Sequence, residues 1–540
     1  MAKPTQDNQF LRQSETGDWA RTAKGEQYLA EAVTNTSGNV YSFYGKLDPV
    51  VIAAAMARLS RFGGDMRELI LKEFADHAGQ EQALLRRVMT QFGDDSVQQL
   101  GYVPVVVENA SNLLTKQLEW GRLAAYLEQS TRYIYYDQKR DGSYRYYTPD
   151  YLPKELLGDY QKTMDIIFDN YSKLVHAMTE WYSKTDQTPQ AERDVPWRIA
   201  NRGKACDAAR GLLPAATTST VGIVGSGQAI DNIIMHLQAN DLPEAQVVGT
   251  NMLAEVRKQH AIFFERTDMP NRGVTTVNYR RQTRQRVAAL AQTLNTHVIN
   301  KQASSASLLD YTPPDELELI AHLLYPHTNL SFAQLQKKIA TWTKTQQVAA
   351  LELYMGERLN RRHKPGRALE IAHYTFELVC DYGSFRDLQR HRMVDALEWQ
   401  RLSPYAGYDV PEVVEQAGFA ALYHDTHAVA RDLYEKLAKA GYEHEAQYAT
   451  LLSGHMRWKL TLNAREAFHF IELRTQPAGH VGYRRLAKAM HDEIIKVHPR
   501  LAKAMIFVNR NADDPSTSRL EQSRRAQQKL QALGLAGLIE

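Results

Sequence analysis

Apolar residues recur at helical spacing over Asp48–Leu59, Ala245–Phe264, Ala428–Ala440 and Tyr483–Val497. That periodicity predicts long amphipathic helices, each with one buried stripe. Strand-like runs are fewer: Val103–Val107, Ala372–Val379 and Asn39–Phe43. AHYTFELV at Ala372–Val379 alternates apolar and polar positions, as a half-buried strand does. The predicted class is α+β with helix dominant.

The pattern repeats. Asn39–Arg61 and Ala306–His327 each read as a short apolar strand, a Tyr, a Pro near a helix start, and a helix. LEWGRLAAYLEQSTRY at Leu118–Tyr133 aligns without gaps on LQRHRMVDALEWQRLS at Leu388–Ser403, matching Leu118 to Leu388, Arg122 to Arg392 and Glu128 to Glu398. AQVVGTNMLA at Ala245–Ala254 resembles AGHVGYRRLA at Ala478–Ala487. Three matches in the same order predict two tandem copies, over residues 38–266 and 305–512. Residues 267–304 form a connector with one helix at Arg284–Asn300. Residues 513–540 form a helical tail.

Composition narrows the reading. A chain of 540 residues is long enough for two or three domains. The 44% hydrophobic and 24% charged content is that of a soluble globular protein. A net charge of +3 argues against a nucleic-acid partner. Cys206 and Cys380 are the only cysteines and stand in no metal or disulfide spacing, which suits a reducing cytoplasm. No run approaches the roughly 18 apolar residues of a membrane span, and from the polar N-terminal stretch no secretory signal is expected.

Several polar groupings are candidates for chemistry. Arg390-His391-Arg392 offers guanidinium donors suited to a diphosphate, although alone it reads as a solvated basic turn. Glu128, Ser130 and Arg132, at alternate positions, would project from one side of an extended segment and suit a ribose hydroxyl and a phosphate. Asn463 and Arg465 open an amphipathic stretch, and Arg474 lies about three helical turns beyond Asn463, on roughly the same side. VGIVGSGQAI at Val221–Ile230 imitates a dinucleotide-binding turn but lacks the third glycine. His424 and His427 have metal-like spacing without further ligands, so no metal is expected.

Together these elements resemble the flavin-dependent thymidylate synthases, which carry RHRxxSxNExSxRY followed by a downstream NxR…LR helix. The resemblance covers both copies, and each copy is degenerate. Copy one has Trp120-Gly121-Arg122 in place of RHR, keeps Glu128, Ser130, Arg132 and Tyr133, and retains Arg210 as a phosphate-binding arginine. It lacks the Asn-x-Arg, and Gln238 stands where the activating arginine belongs. Copy two keeps Arg390, His391, Arg392, Glu398, Asn463, Arg465, Arg474 and Glu370. It has Gln400, Leu402 and Ser403 for the serine, arginine and tyrosine, and Gln447 for the phosphate-site arginine.

The resemblance implies helices packed on a small, mostly antiparallel sheet in each copy. It implies reductive methylation of dUMP to dTMP, with FAD as cofactor and NADPH and methylenetetrahydrofolate as co-substrates. Arg474 is then the activating residue. Glu128, Ser130, Arg132, Arg210 and Arg390 hold the nucleotide. Arg390, His391, Arg392, Glu398, Asn463, Arg465 and His469 hold the flavin. Family members are homotetramers with shared sites, so two chains would form a pseudo-tetramer. The alternatives are a silent flavin- or nucleotide-binding scaffold, a flavin enzyme acting on another pyrimidine nucleotide, and a nucleic-acid binder using Arg280–Arg286 and the Tyr-rich Tyr133–Tyr147.

Overall fold

The computed structural model describes residues 8–13, 19–75, 97–294, 305–511 and 515–534. The chain forms two compact units. One comprises Met1–Glu108, Gln117–Glu128 and Thr220–Asn295; the other comprises Asn109–Lys116, Gln129–Ser219 and Thr296–Glu540. The second unit therefore holds copy two together with the middle of copy one.

The first unit begins with a small antiparallel pair, β1 (Leu11–Gln13) and β2 (Trp19–Arg21). Helix α1 (Pro49–Leu59) follows. Asp48 accepts a hydrogen bond from the Val50 amide, and Pro49 gives the first turn its fixed φ. A three-stranded sheet has the order β3 (Tyr102–Ser111), β5 (Thr218–Ser226), β4 (Ala124–Glu128), with β4 and β5 antiparallel from Ala124↔Gly225 to Glu128↔Val221. Helix α2 (Asn112–Leu118) continues from β3, and α5 (Gly227–Gln238) continues from β5. The glycine-rich stretch is thus a strand-to-helix turn capped by Ser226. It is set in an antiparallel sheet, without the parallel βαβ context a dinucleotide fold needs.

Helices α6 (Pro243–His260) and α7 (Gly273–Gln292) complete this unit. The connector helix begins eleven residues before the expected Arg284, because the polar Val274–Thr283 stretch is already helical. The expected end at Asn300 lies outside the described residues. The basic run caps its neighbour. Arg281 donates to the Gln238 carbonyl at 2.6 Å, Arg284 to the Ala239 carbonyl and to Asp241, and Arg280 to Asn232. Three guanidiniums are thereby spent on and around the C-terminal, partly negative end of α5. The expected strand at Asn39–Phe43 is only an isolated Val33↔Phe43 bridge, since Val40 is left exposed and no described strand pairs with it.

In the second unit, α3 (Lys154–Thr185) buries Tyr160, Met164, Ile167, Phe168, Tyr171 and Leu174 along one stripe. It packs on α4 (Val195–Ala209) and α9 (Ala420–Lys439). A four-stranded sheet has the order β6 (Ser305–Thr312), β7 (His373–Asp381), β9 (His455–Asn463), β8 (Ala396–Trp399), all antiparallel. Alternate residues Tyr374, Phe376 and Leu378 of β7 and Met456, Trp458, Leu460 and Leu462 of β9 are buried. Helix α8 (Tyr382–Leu388) follows β7, α10 (Ala464–Arg474) follows β9, and α11 (Val481–Val497) covers β6 and β7. The tail helix α12 (Pro515–Ala532) lies on α4.

The duplication is visible in the backbone. The central trio β3-β5-β4 has the same order as β7-β9-β8. The Asn112 amide donates to Thr217 O at 2.9 Å, as the Tyr382 amide donates to Gly454 O at 3.0 Å. Ser226 caps α5 as Asn463 caps α10. The chain is an α+β, helix-rich tandem of two related folds. Ala245–Ala254 and Ala478–Ala487 are out of register, however, because their helices start at Pro243 and Val481.

Candidate functional site

Asp387, on the last turn of α8, is the focus of the second unit's charges. Asp381 caps this helix by accepting from the Ser384 amide at 2.7 Å. Arg210 opens the turn after α4 and brings Nη1 to 3.5 Å from Asp387 Oδ2. Burial alone would raise the Asp387 carboxyl, but Arg210, Arg132, Arg390 and Arg474 hold it down to about 2. Two of these arginines come from copy one and two from copy two. Arg132 is itself gripped by Asp207 of α4, Nε to Oδ1 at 2.8 Å and Nη2 to Oδ2 at 3.0 Å, and it reaches the Tyr483 hydroxyl at 3.4 Å. Four guanidiniums therefore gather with three carboxylates, Asp387, Asp207 and Asp381, leaving one positive charge in excess. Arg210 Nη2 and Ser384 Oγ are both buried without a hydrogen-bond partner, and such donors are costly unless something fills the space.

Arg474 ends α10. Burial is the main influence depressing its pKa, with Arg390 adding to it, while Asp387 and Tyr483 oppose the shift. Its Nε donates to His391 Nε2 at 2.9 Å, and its guanidinium carbon lies 5.5 Å from the Tyr483 ring centre. His391 is buried against Phe470, with ring centres 4.4 Å apart, and its Nδ1 is 2.9 Å from Glu466 Oε1. Burial first, then Arg474, push His391 down to about 4, so it is neutral at pH 7. Burial opposes the Glu466 charge, yet hydrogen bonds from His391 and His469 hold this carboxyl at about 2.

Among the described residues, His391, Glu466 and His469 form a group compact enough for a metal ion, with ligand atoms within 4.8 Å of one another. Arg474 argues against that use. Metal on Nδ1 would place the ring proton on Nε2, against the Arg474 Nε–H that now donates there. His424 and His427 have separate partners, the Tyr408 hydroxyl and Ser453 Oγ.

The other expected residues are placed as follows. Glu128 is buried at the end of β4, and Glu398 is exposed in β8 opposite Lys459. Past Glu128 the chain leaves the strand and turns, so Ser130 and Arg132 are not spaced along an extended segment. Ser130 Oγ instead accepts from the Arg132 amide at 3.1 Å. Arg390 is exposed and Arg392 half-buried, in the loop after α8. Asn463 Oδ1 is engaged by the Glu466 amide, while Arg465 donates to Pro365 O and approaches Glu370 at 3.6 Å. The Tyr-rich stretch packs inward: Tyr144 and Tyr146 lie on Phe168, and Tyr135 bonds Thr179. These three rings are spent on α3, while Tyr133 is exposed.

Sequence reasoning missed Asp207, Asp387, Glu466 and Tyr483. Asp387 had a signal, a lone carboxylate within FRDLQRHR. Glu466 sits where the acidic residue of a helix-capping pattern belongs, which disguised it.

The lost motifs leave matching scars. The counterparts of His391, Glu466 and Arg474, counted from the ends of α2 and β5, are Gly121, Ala229 and Leu237. Leu237, rather than Gln238, is thus the counterpart of Arg474, and it is fully buried. Trp120 stacks on His236 with ring centres 4.2 Å apart, and burial, then Arg280 and Arg284, push His236 down to about 4. In copy two, Leu402 is buried and its amide donates to Gln447 Oε1 at 3.1 Å. Apolar or neutral groups close both positions.

A helix-rich tandem of two related α+β folds, with arginines of both copies gathered around Asp387, defines the class. A model of the thymidylate synthase complementing protein family matches residues 45–261 and again 307–500, and the chain belongs to that flavin-dependent family. The UPF0159 protein of Chlamydia muridarum is 31% identical over 533 residues, covering 95% of this chain and 100% of its own. The UPF0159 protein of Chlamydia pneumoniae is 32% identical over 525 residues, covering 93% and 98%. A crystal structure of the UMP/dUMP methylase PolB from Streptomyces cacaoi bound with 5-Br dUMP is similar at 17% identity and a TM-score of 0.31, covering 38% of this chain and 95% of that one. No helix among the described residues is long and apolar enough to cross a membrane, and both cysteines are free and buried.

Proposed function

We propose that the chain converts dUMP to dTMP by FAD-dependent reductive methylation, with methylenetetrahydrofolate giving the carbon and NADPH the electrons. The site is a composite: copy one grips the nucleotide, and copy two holds the flavin and activates the base. The carrying observation is the meeting of Arg132 and Arg210 with Arg390 and Arg474 at Asp387. A nucleotide phosphate brings close to two negative charges at pH 7, and the net positive charge around Asp387 favours such an anion. Arg210 Nη2 and Ser384 Oγ supply unspent donors for it.

Arg132, Arg210 and Ser130 position the nucleotide, together with the exposed Arg390. The donor set also fits a flavin. Exposed Arg390, half-buried Arg392 and His469, which is a third exposed, offer N–H groups to a diphosphate. Arg465 and the side-chain NH2 of Asn463 add to that set, whereas both ring nitrogens of His391 are already engaged and the Glu398 carboxylate can only accept. Bound FAD supplies the hydride chemistry, which no side chain can. Arg474 is aimed to stabilise negative charge developing on the pyrimidine carbonyl, in a site where burial strengthens the interaction. Two chains associate as a pseudo-tetramer in the cytoplasm.

The test is tritium release from 5-labelled dUMP by the purified protein, beside its visible spectrum. Release with a flavin spectrum supports the proposal. A yellow protein without release favours a silent scaffold, and release from labelled UMP alone favours another pyrimidine nucleotide.

A further inference from the structure

Resting on that reading, we propose that Glu466 is a positioning residue, which acts through His391 to fix the direction in which Arg474 presents its guanidinium. The argument is one of proton bookkeeping. An arginine Nε–H can only donate, so the His391 Nε2 it meets at 2.9 Å must be bare. A neutral imidazole with a bare Nε2 carries its proton on Nδ1. That proton needs an acceptor in a buried place, and Glu466 Oε1 lies 2.9 Å from Nδ1. The carboxylate, which has no proton to give, allows only this tautomer. With Nε tethered to His391, the planar guanidinium has its two terminal nitrogens directed by the same plane.

Three further observations support a unit. Asn463 accepts from the Glu466 amide at 2.9 Å and fixes the start of its helix turn. Phe470 packs against the His391 ring and limits its rotation. In copy one the three counterparts are absent together, as Gly121, Ala229 and Leu237. Residues kept for separate reasons would not need to be lost as a set.

The experiment compares Glu466→Gln and Glu466→Asp with the wild-type holoenzyme. A glutamine can offer its NH2 to Nδ1 and drive the proton to Nε2, against Arg474. In Glu466→Gln, kcat should fall about 10- to 100-fold, the effect of losing an outer-shell partner that orients a histidine, with KM for dUMP changed less than kcat. Nitrogen NMR of histidine-labelled protein should show His391 moving from the Nδ1–H to the Nε2–H tautomer, its signals assigned by their loss in His391→Gln. Glu466→Asp keeps a carboxylate and should restore the Nδ1–H form. An Nδ1–H tautomer unchanged in Glu466→Gln, or a kcat within about threefold of the active wild type, overturns the proposal. The tautomer reading needs no turnover. If the wild type makes no dTMP yet the tautomer shifts, the positioning role stands and the functional reading falls.

Discussion

Pro214 and Leu451 face each other in an isolated antiparallel bridge, and each is the other's counterpart in the repeat. Around them the Ala215 amide donates to Thr450 O and the Leu452 amide to Leu213 O, both at 2.8 Å. The two copies thus meet about a local two-fold at the turns that Arg210 and Gln447 open. A symmetric pair would carry two equal sites, but Gln447 holds the Leu402 amide where Arg210 faces Asp387.

A single nucleotide should therefore bind per chain. Calorimetric titration with dUMP should saturate at that ratio, and flavin absorbance should give the same count. Two nucleotides per chain would mean that the Leu402–Gln447 side still functions.

Truncating Arg132 and truncating Gln400, the copy-two counterpart of Ser130, should differ sharply. Arg132→Ala leaves the half-buried Asp207 without its bidentate partner and removes a cation from around Asp387. Losing one side of such a pair costs roughly 2 to 5 kcal/mol, so dUMP affinity should drop by tens-fold or more. Gln400 is exposed, and Gln400→Ala should leave affinity within about twofold. Equal losses in the two variants would refute the division of labour.

Removing the guanidinium from α10 separates binding from chemistry. Arg474→Ala should abolish tritium release while the bound flavin spectrum persists. Loss of flavin together with activity would place Arg474 in cofactor binding instead.

Acid should destabilise the fold before any carboxylate titrates. Burial pushes His236, His391 and His480 down to about 4 and His427 to about 3. An unfolded histidine titrates near 6.5. Between those values the unfolded chain binds protons that the folded chain refuses, so stability falls as pH drops from about 6.5. The loss should be on the order of a few kcal/mol by pH 5. Asp387 and Glu466, at about 2, add to it only below pH 4. Urea midpoints at pH 7.5 and pH 5 test this, and equal midpoints would contradict it.

Much of this was legible before any coordinates. Apolar periodicity located α1 and α11, and the alternation of Ala372–Val379 located β7. The 32-residue helix α3 was passed over, because its stripe is dominated by tyrosine, methionine and phenylalanine within a highly polar segment. The motif residues of the site were readable because their spacing is local. Asp207 and Asp387 were not, since their significance lies in contacts across long stretches of chain, Asp207 with Arg132 and Asp387 with Arg210. The shift from Gln238 to Leu237 has the same cause: only the helix caps Ser226 and Asn463 set that register.

Leu237 also bears on whether the second site could return. An arginine there would bury a cation among apolar neighbours, at a cost of several kcal/mol. A histidine at Gly121 would begin with a Cβ only 2.7 Å from the Tyr126 hydroxyl and 3.2 Å from Ile233 Cγ1. Leu402 is 2% exposed and no more tolerant of charge. Each reversal would weaken the protein before its partners existed to use it. The asymmetry between the copies thus acts as a ratchet: a chain whose copies have diverged this way has no downhill single-step path back to two equal halves.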